Sequence, residues 1–99
     1  MTHLRTRAVH AGQHPDPASG AIAMPITQST AFAYGSLERG AAIFAGEAEG
    51  YRYGRYGNPT VAALEAKMAD LEGAEAAVAF ASGTAATAAT VLALLQPGD

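Results

Sequence analysis

The stretch from Asn58 to Thr84 constrains the fold more than any other part of this chain, because the hydrophobic period changes twice within it. Asn58 is a good helix N-cap, Pro59 suits the first helical position, where its missing N–H is not needed, and Gly73 ends the run. Val61, Leu64, Met68 and Leu71 fall on one helical face, which predicts a core stripe. Ala76 to Phe80 is a short apolar run between turn signals and predicts a buried strand. Ser82-Gly83-Thr84 then opens an Ala-, Leu- and Val-rich helix that is expected to run to Gln96 and stop at Pro97-Gly98. Helix, strand, small-residue turn and helix make an α/β unit of the parallel-sheet kind.

The chain before this unit is different in character. Pro15, Pro17 and Pro25 break up the first 35 residues, which show no sustained helical period. His14-Pro15-Asp16-Pro17 and Ala18-Ser19-Gly20 are turn material, and Met24-Pro25-Ile26 should be extended. So long an irregular stretch suggests an arm that packs on something else. A short helix is expected from Ser36 to about Ala45, capped by Ser36 and stopped by Gly46, with Leu37, Ala41 and Phe44 on one face.

Two places carry chemistry. Tyr51-Arg52-Tyr53-Gly54-Arg55-Tyr56 packs phenols and guanidiniums closely, just before the Asn58 cap. Arg presents a planar fork to phosphate oxygens and a Tyr hydroxyl adds a neutral donor, so the cluster suits a phosphate. An ordinary surface loop with snorkelling arginines has the same composition. The second place is the turn Ala81-Ser82-Gly83-Thr84-Ala85. A strand that opens through Ser-Gly into a helix presents the first free N–H groups of that helix, which with the dipole form an anion site. Gly83 allows close approach to the backbone, and Ser82 or Thr84 can add a hydroxyl. Ser82 acting only as a cap is the alternative. The chain has no G-x-x-x-x-G-K-[ST] motif, and no G-x-G-x-x-G follows the strand.

Composition narrows the classes. The net charge of −3 argues against general attraction to nucleic acid. With no cysteine there is no disulfide, thiolate metal site or Cys nucleophile, in keeping with a reducing cytoplasm. Met1-Thr2-His3-Leu4-Arg5 leads into no apolar h-region, and the longest apolar run, Ala88 to Leu95, is too short for a membrane span. A cytoplasmic protein with no membrane partner is expected.

Taken together, the motifs resemble the N-terminal part of the pyridoxal-phosphate enzymes of cysteine and methionine metabolism, the trans-sulfuration family. The resemblance rests on Thr6-Arg7-Ala8-Val9-His10-Ala11-Gly12, on Met24 to Phe32, on Tyr53-Gly54-Arg55-Tyr56-Gly57-Asn58-Pro59-Thr60 as a Y-x-R-x-x-N-P-T element, and on the Ala81 to Ala86 turn. It implies an aspartate-aminotransferase-like, fold type I architecture. Residues 1–57 would be an extended arm with a short helix and intersubunit contacts, and residues 58–99 the beginning of the α/β domain that binds pyridoxal 5′-phosphate. It also implies a homodimer or homotetramer in which Tyr53 and Arg55 hold the cofactor phosphate of the neighbouring subunit. The N–H groups of Gly83 and Thr84, with Ser82, would hold the phosphate of their own. The substrate would be a small amino acid: methionine, cystathionine or an O-acylhomoserine. The Gly46-Glu47 region and the Leu95-to-Asp99 ending look most like methionine γ-lyase.

That chemistry needs a lysine to carry the cofactor, and the only lysine here is Lys67, on the flank of the Pro59 helix and best read as solvated. The catalytic lysine is expected beyond this stretch, so no residue here is assigned a catalytic role and the chain reads as an opening fragment, inactive alone. Arg52 has no implied role and is expected to be solvent-exposed. His10 and His14 are spaced i, i+4, but Gly12 and Pro15 argue against a shared helix and no third metal ligand is in sight. Glu47, Glu49, Asp70, Glu72 and Glu75 read as solvated surface. A nucleic-acid module that uses the Tyr/Arg cluster for stacking is the remaining alternative, disfavoured by the acidic balance.

Overall fold

The computed structural model describes residues 3–99; Met1 and Thr2, with which the expected leaderless start begins, lie outside the described residues. Four helices follow one another: α1 (Leu4–His10), α2 (Leu37–Ala45), α3 (Pro59–Glu72) and α4 (Gly83–Leu94). The last three begin on the expected signals, and α2 and α3 also end on them. Ser36 Oγ accepts the Arg39 N–H at the start of α2, and Gly46 closes it with φ 77°. Asn58 Oδ1 accepts the Thr60 N–H, Pro59 sits in the first turn of α3, and Gly73 ends that helix with φ 68°. Both glycines adopt the left-handed conformation that a side chain resists. The last helix closes at Leu94, short of Gln96.

The first helix corrects the irregular reading of the N-terminal third. It has no acidic residue in its first turn and buries no side chain, so it carries no amphipathic signal. It forms because it docks on α3: Arg7 Nε pairs with Asp70 Oδ2 at 2.8 Å, and Lys67 Nζ donates to the Val9 carbonyl at 3.1 Å. Asp70 and Lys67 are therefore engaged by α1, while Asp70 stays solvent-exposed as expected.

Ala76 to Phe80 forms no ladder, and the only pairing among the described residues is an isolated antiparallel bridge between Ala31 and Tyr53. A strand is defined by its pairing partners, and none of the other described segments pairs with this one. One of its amides is satisfied instead by a side chain, Ala79 N–H to Glu65 Oε1 at 2.8 Å. Apolar hollows lie on either side. One of about 360 Å³ faces α3, lined by Leu64, Met68, Ala76 and Val78. One of about 460 Å³ faces α4, lined by Val78, Phe80, Ala89 and Leu94.

The stripe on α3 is likewise not closed over, with Val61, Leu64 and Met68 each more than two-fifths exposed. Among the described residues, buried hydrophobic side chains are confined to Ile43 and Ala69. The buried face of α2 is Gly40 and Ile43 and not the Leu37, Ala41 and Phe44 face expected. Gly40 is there because the Tyr34 ring lies across it; a Cβ at this position would stand 3.1 Å from that ring.

Candidate functional site

The extended segment from Pro25 to Tyr34 lies along the Tyr/Arg loop and fixes it from one side. The Thr27 N–H donates to Thr60 Oγ1 and Asn58 Nδ2 donates to the Thr27 carbonyl, both at 2.9 Å. The Gly54 N–H donates to the Thr30 carbonyl at 2.7 Å. At Gly54 a Cβ would lie 3.4 Å from Thr30 Cα, in ordinary van der Waals contact with the neighbouring segment. Phe32 packs on Tyr51 with centroids 5.3 Å apart, and the Tyr34 hydroxyl donates to the Arg52 carbonyl at 3.3 Å. These contacts hold the loop from one side and leave Tyr53, Arg55 and Tyr56 exposed on the other.

Within the loop the Tyr56 and Gly57 N–H groups both donate to the Tyr53 carbonyl, at 2.9 and 3.2 Å. This turn brings Tyr53, Arg55 and Tyr56 together. The Arg55 guanidinium lies 5.7 Å from the Tyr53 ring centroid and 5.2 Å from that of Tyr56. Tyr53, Arg55 and Tyr56 are all exposed. Arg52 differs from expectation. It is half-buried, with its guanidinium 5.4 Å from the Phe44 ring and 5.0 Å from the Tyr56 ring. The regular interleaving of Tyr and Arg through residues 51–56 was the available signal; the partner Phe44 on α2 was not readable from spacing.

The second candidate cluster stands at the start of α4. Ser82 Oγ accepts the Ala85 N–H at 3.1 Å, so Ser82 is a true cap. The cap leaves the Gly83 and Thr84 N–H groups without a partner among the described residues. Space beside Gly83 is open, with no atom within 4 Å of where a Cβ would be. Capping and anion binding are therefore compatible here, because they use different N–H groups. No hydrogen bond or ring contact among the described residues joins this turn to the Tyr/Arg loop.

The arrangement suits a phosphate monoester. Helix N–H donors and a positive dipole end stand at one cluster, and an exposed cation with a phenol at the other. No ion pair with a carboxylate occupies Arg52 or Arg55 among the described residues. His10 ends α1 and His14 lies in the following loop, and no three His, Cys, Asp or Glu side chains of the described residues converge on a metal-sized site. Lys67 is committed to the Val9 carbonyl, away from both clusters.

The L-methionine gamma-lyase of Pseudomonas putida is 49% identical over 94 residues, covering 95% of this chain and 24% of the relative. The O-acetyl-L-homoserine sulfhydrylase of Corynebacterium glutamicum is 50% identical over 96 residues, covering 97% and 22%. A Campylobacter jejuni crystal structure assigned as an O-acetylhomoserine (thiol)-lyase superposes with a TM-score of 0.91 at 32% identity, over 100% of this chain and 24% of that one. It contains N′-pyridoxyl-lysine-5′-monophosphate. The chain thus spans about a quarter of the length of the relatives it matches, and those relatives carry out several different reactions of sulfur amino-acid metabolism. The family model for Cys/Met metabolism PLP-dependent enzymes matches residues 5–99, and the chain belongs to that family.

Proposed function

We propose that this chain is the phosphate-binding opening of a pyridoxal-phosphate enzyme that carries out β- or γ-elimination or γ-replacement on methionine, cystathionine or an O-acylhomoserine. Methionine γ-lyase is the favoured member reaction. When bound, the cofactor supplies the electron sink such reactions need. The residues of this chain bind and orient it. The Gly83 and Thr84 N–H groups, with Ser82 holding the turn, receive the phosphate of the chain's own cofactor at the positive end of α4. Tyr53 and Arg55 serve the phosphate of a neighbouring subunit in a homodimer or homotetramer, so that each dianion meets donors from two chains. The arm over residues 1–57 then belongs to the intersubunit contact, and residues 58–99 begin the α/β domain, in which Ala76 to Phe80 becomes a strand once neighbours flank it.

The observation that carries this reading is the pair of unpartnered N–H groups beside an open Gly83, in a family whose members use a phosphorylated cofactor. The net charge of −3 counts against a nucleic-acid module built on the same Tyr/Arg loop. Proton transfer is left to a lysine outside this stretch, so the 99 residues alone are expected to be inactive. In the full-length protein, Arg55→Ala should weaken pyridoxal-phosphate affinity about 10- to 100-fold, the range of one charged hydrogen-bond donor. Equilibrium dialysis measures it, and unchanged affinity would remove the phosphate role.

A further inference from the structure

Five side chains form a single alternating stack. Phe44 at the end of α2 lies 5.4 Å from Arg52, Arg52 lies 5.0 Å from Tyr56, Tyr56 lies 5.2 Å from Arg55, and Arg55 lies 5.7 Å from Tyr53. Each guanidinium lies over two rings, and the Tyr56 ring is shared by both. We infer that Arg52 and Tyr56 are positioning residues: through this stack they hold the Arg55 guanidinium in place and leave its N–H edge open to an anion.

The chemistry of the stack supports the assignment. A guanidinium held by a carboxylate uses its N–H groups in that bond and has its charge neutralised. One held against ring faces is attracted by the ring quadrupole and keeps its in-plane donors. Neither Arg52 nor Arg55 is paired with an acid, the one ion pair among the described residues being Arg7 with Asp70. Nor does either side chain donate to a carbonyl, whereas Arg39 donates to that of Glu49. Arg55 is therefore restrained without being consumed.

The stack also has an anchored end. Phe44 makes an edge-on contact with Tyr34, centroids 5.8 Å apart, and the Tyr34 hydroxyl bonds the Arg52 carbonyl. Arg52 is half-buried while Arg55 is exposed, so order is passed from the inner cation to the outer one through Tyr56. A long flexible side chain that is already ordered loses less entropy on binding a ligand.

The inference rests on the phosphate role proposed for Arg55, and a double-mutant cycle separates the two. Cofactor dissociation constants of the full-length protein are measured by equilibrium dialysis for Arg52→Met, Arg55→Ala and the double variant. Removing one partly exposed cation from the rings should weaken binding about 2- to 5-fold in the parent. It should have no effect in the Arg55→Ala background, because Arg52 acts only through Arg55. Arg52→Lys, which keeps a cation, should restore most of the loss; Tyr56→Phe, which keeps the ring, should bind as the parent does and Tyr56→Leu should not. Equal weakening by Arg52→Met in both backgrounds would overturn the positioning role, as would no weakening where Arg55→Ala does weaken binding. If Arg55→Ala itself is silent, the phosphate role falls and the positioning role falls with it.

Discussion

Asp16 Oδ2 accepts the Ser19 N–H at 2.8 Å and also the Ser19 hydroxyl, while Gly20 donates to the Asp16 carbonyl at 2.7 Å. The result is a self-contained turn whose geometry depends on one ionised oxygen. The bond from the Ser19 hydroxyl, then that from the Ser19 N–H, holds the Asp16 carboxyl below its ordinary value. Because the folded value is the depressed one, the turn's added stability is present above the ordinary aspartate value and is lost as pH falls through the lower, folded value. Ser19→Ala should raise the Asp16 titration toward the ordinary value, read from the side-chain carboxyl carbon by NMR. An unchanged titration would contradict the hydroxyl's leading part. Turn residues of this type were legible at once, because every partner lies within five positions. Arg52 was not, since its partner Phe44 is on another element, and only the folded chain brings them together.

Helices whose stop and start signals are local were equally legible: Ser36 and Gly46, Asn58 and Gly73, and Ser82. The first helix was missed because what it docks on, α3, lies far along the chain, with Asp70 63 residues from Arg7. Two contributions compete there. The Arg7–Asp70 pair is 34% and 44% exposed, and pairs so open to solvent contribute less than about 1 kcal/mol. Gly12 contributes more. Its φ is +69°, and a Cβ would sit 2.8 Å from the Lys67 nitrogen and against the Ala63 carbonyl, so α1 comes close to α3 only because this residue has no side chain. A left-handed conformation alone costs an ordinary residue on the order of 1–2 kcal/mol, before the clash. In the full-length protein Gly12→Ala should therefore speed amide exchange across α1 more than about tenfold, and Asp70→Asn less than about fivefold. Hydrogen-exchange mass spectrometry measures both, and the reverse order would show that charge, not close approach, docks the helix.

At the scale of the whole molecule the difficulty is area. The Cα radius of gyration is 16.4 Å, against about 13 Å for a compact domain of this length. The accessible surface is 7927 Å², against roughly 5,200 Å² for a folded monomer of this mass. Large side chains placed for a core stand open, among them Val78 at 72% and Leu92 at 82% exposed. This is also why the predicted strand is not formed and the α3 stripe is not closed over. Period and apolarity tell which face wants covering, but not whether the cover is present. Full burial of one such side chain contributes about 1.5–3 kcal/mol, and ordering one residue costs about as much. With Ile43 and Ala69 as the only buried hydrophobic residues described, burial cannot offset ordering across the chain. The 99 residues produced alone should therefore melt without a cooperative calorimetric transition and should bind an apolar dye such as ANS at neutral pH. A single sharp transition, with calorimetric and van't Hoff enthalpies equal, would show instead that the arm and the α3–α4 unit form a self-sufficient domain. In that case the apolar hollows beside Ala76 to Phe80 would have to be closed by the chain itself. The expected failure to fold alone follows from the same geometry as the proposed shared site: an arm and an open helix start would be useful only when other chain packs against them.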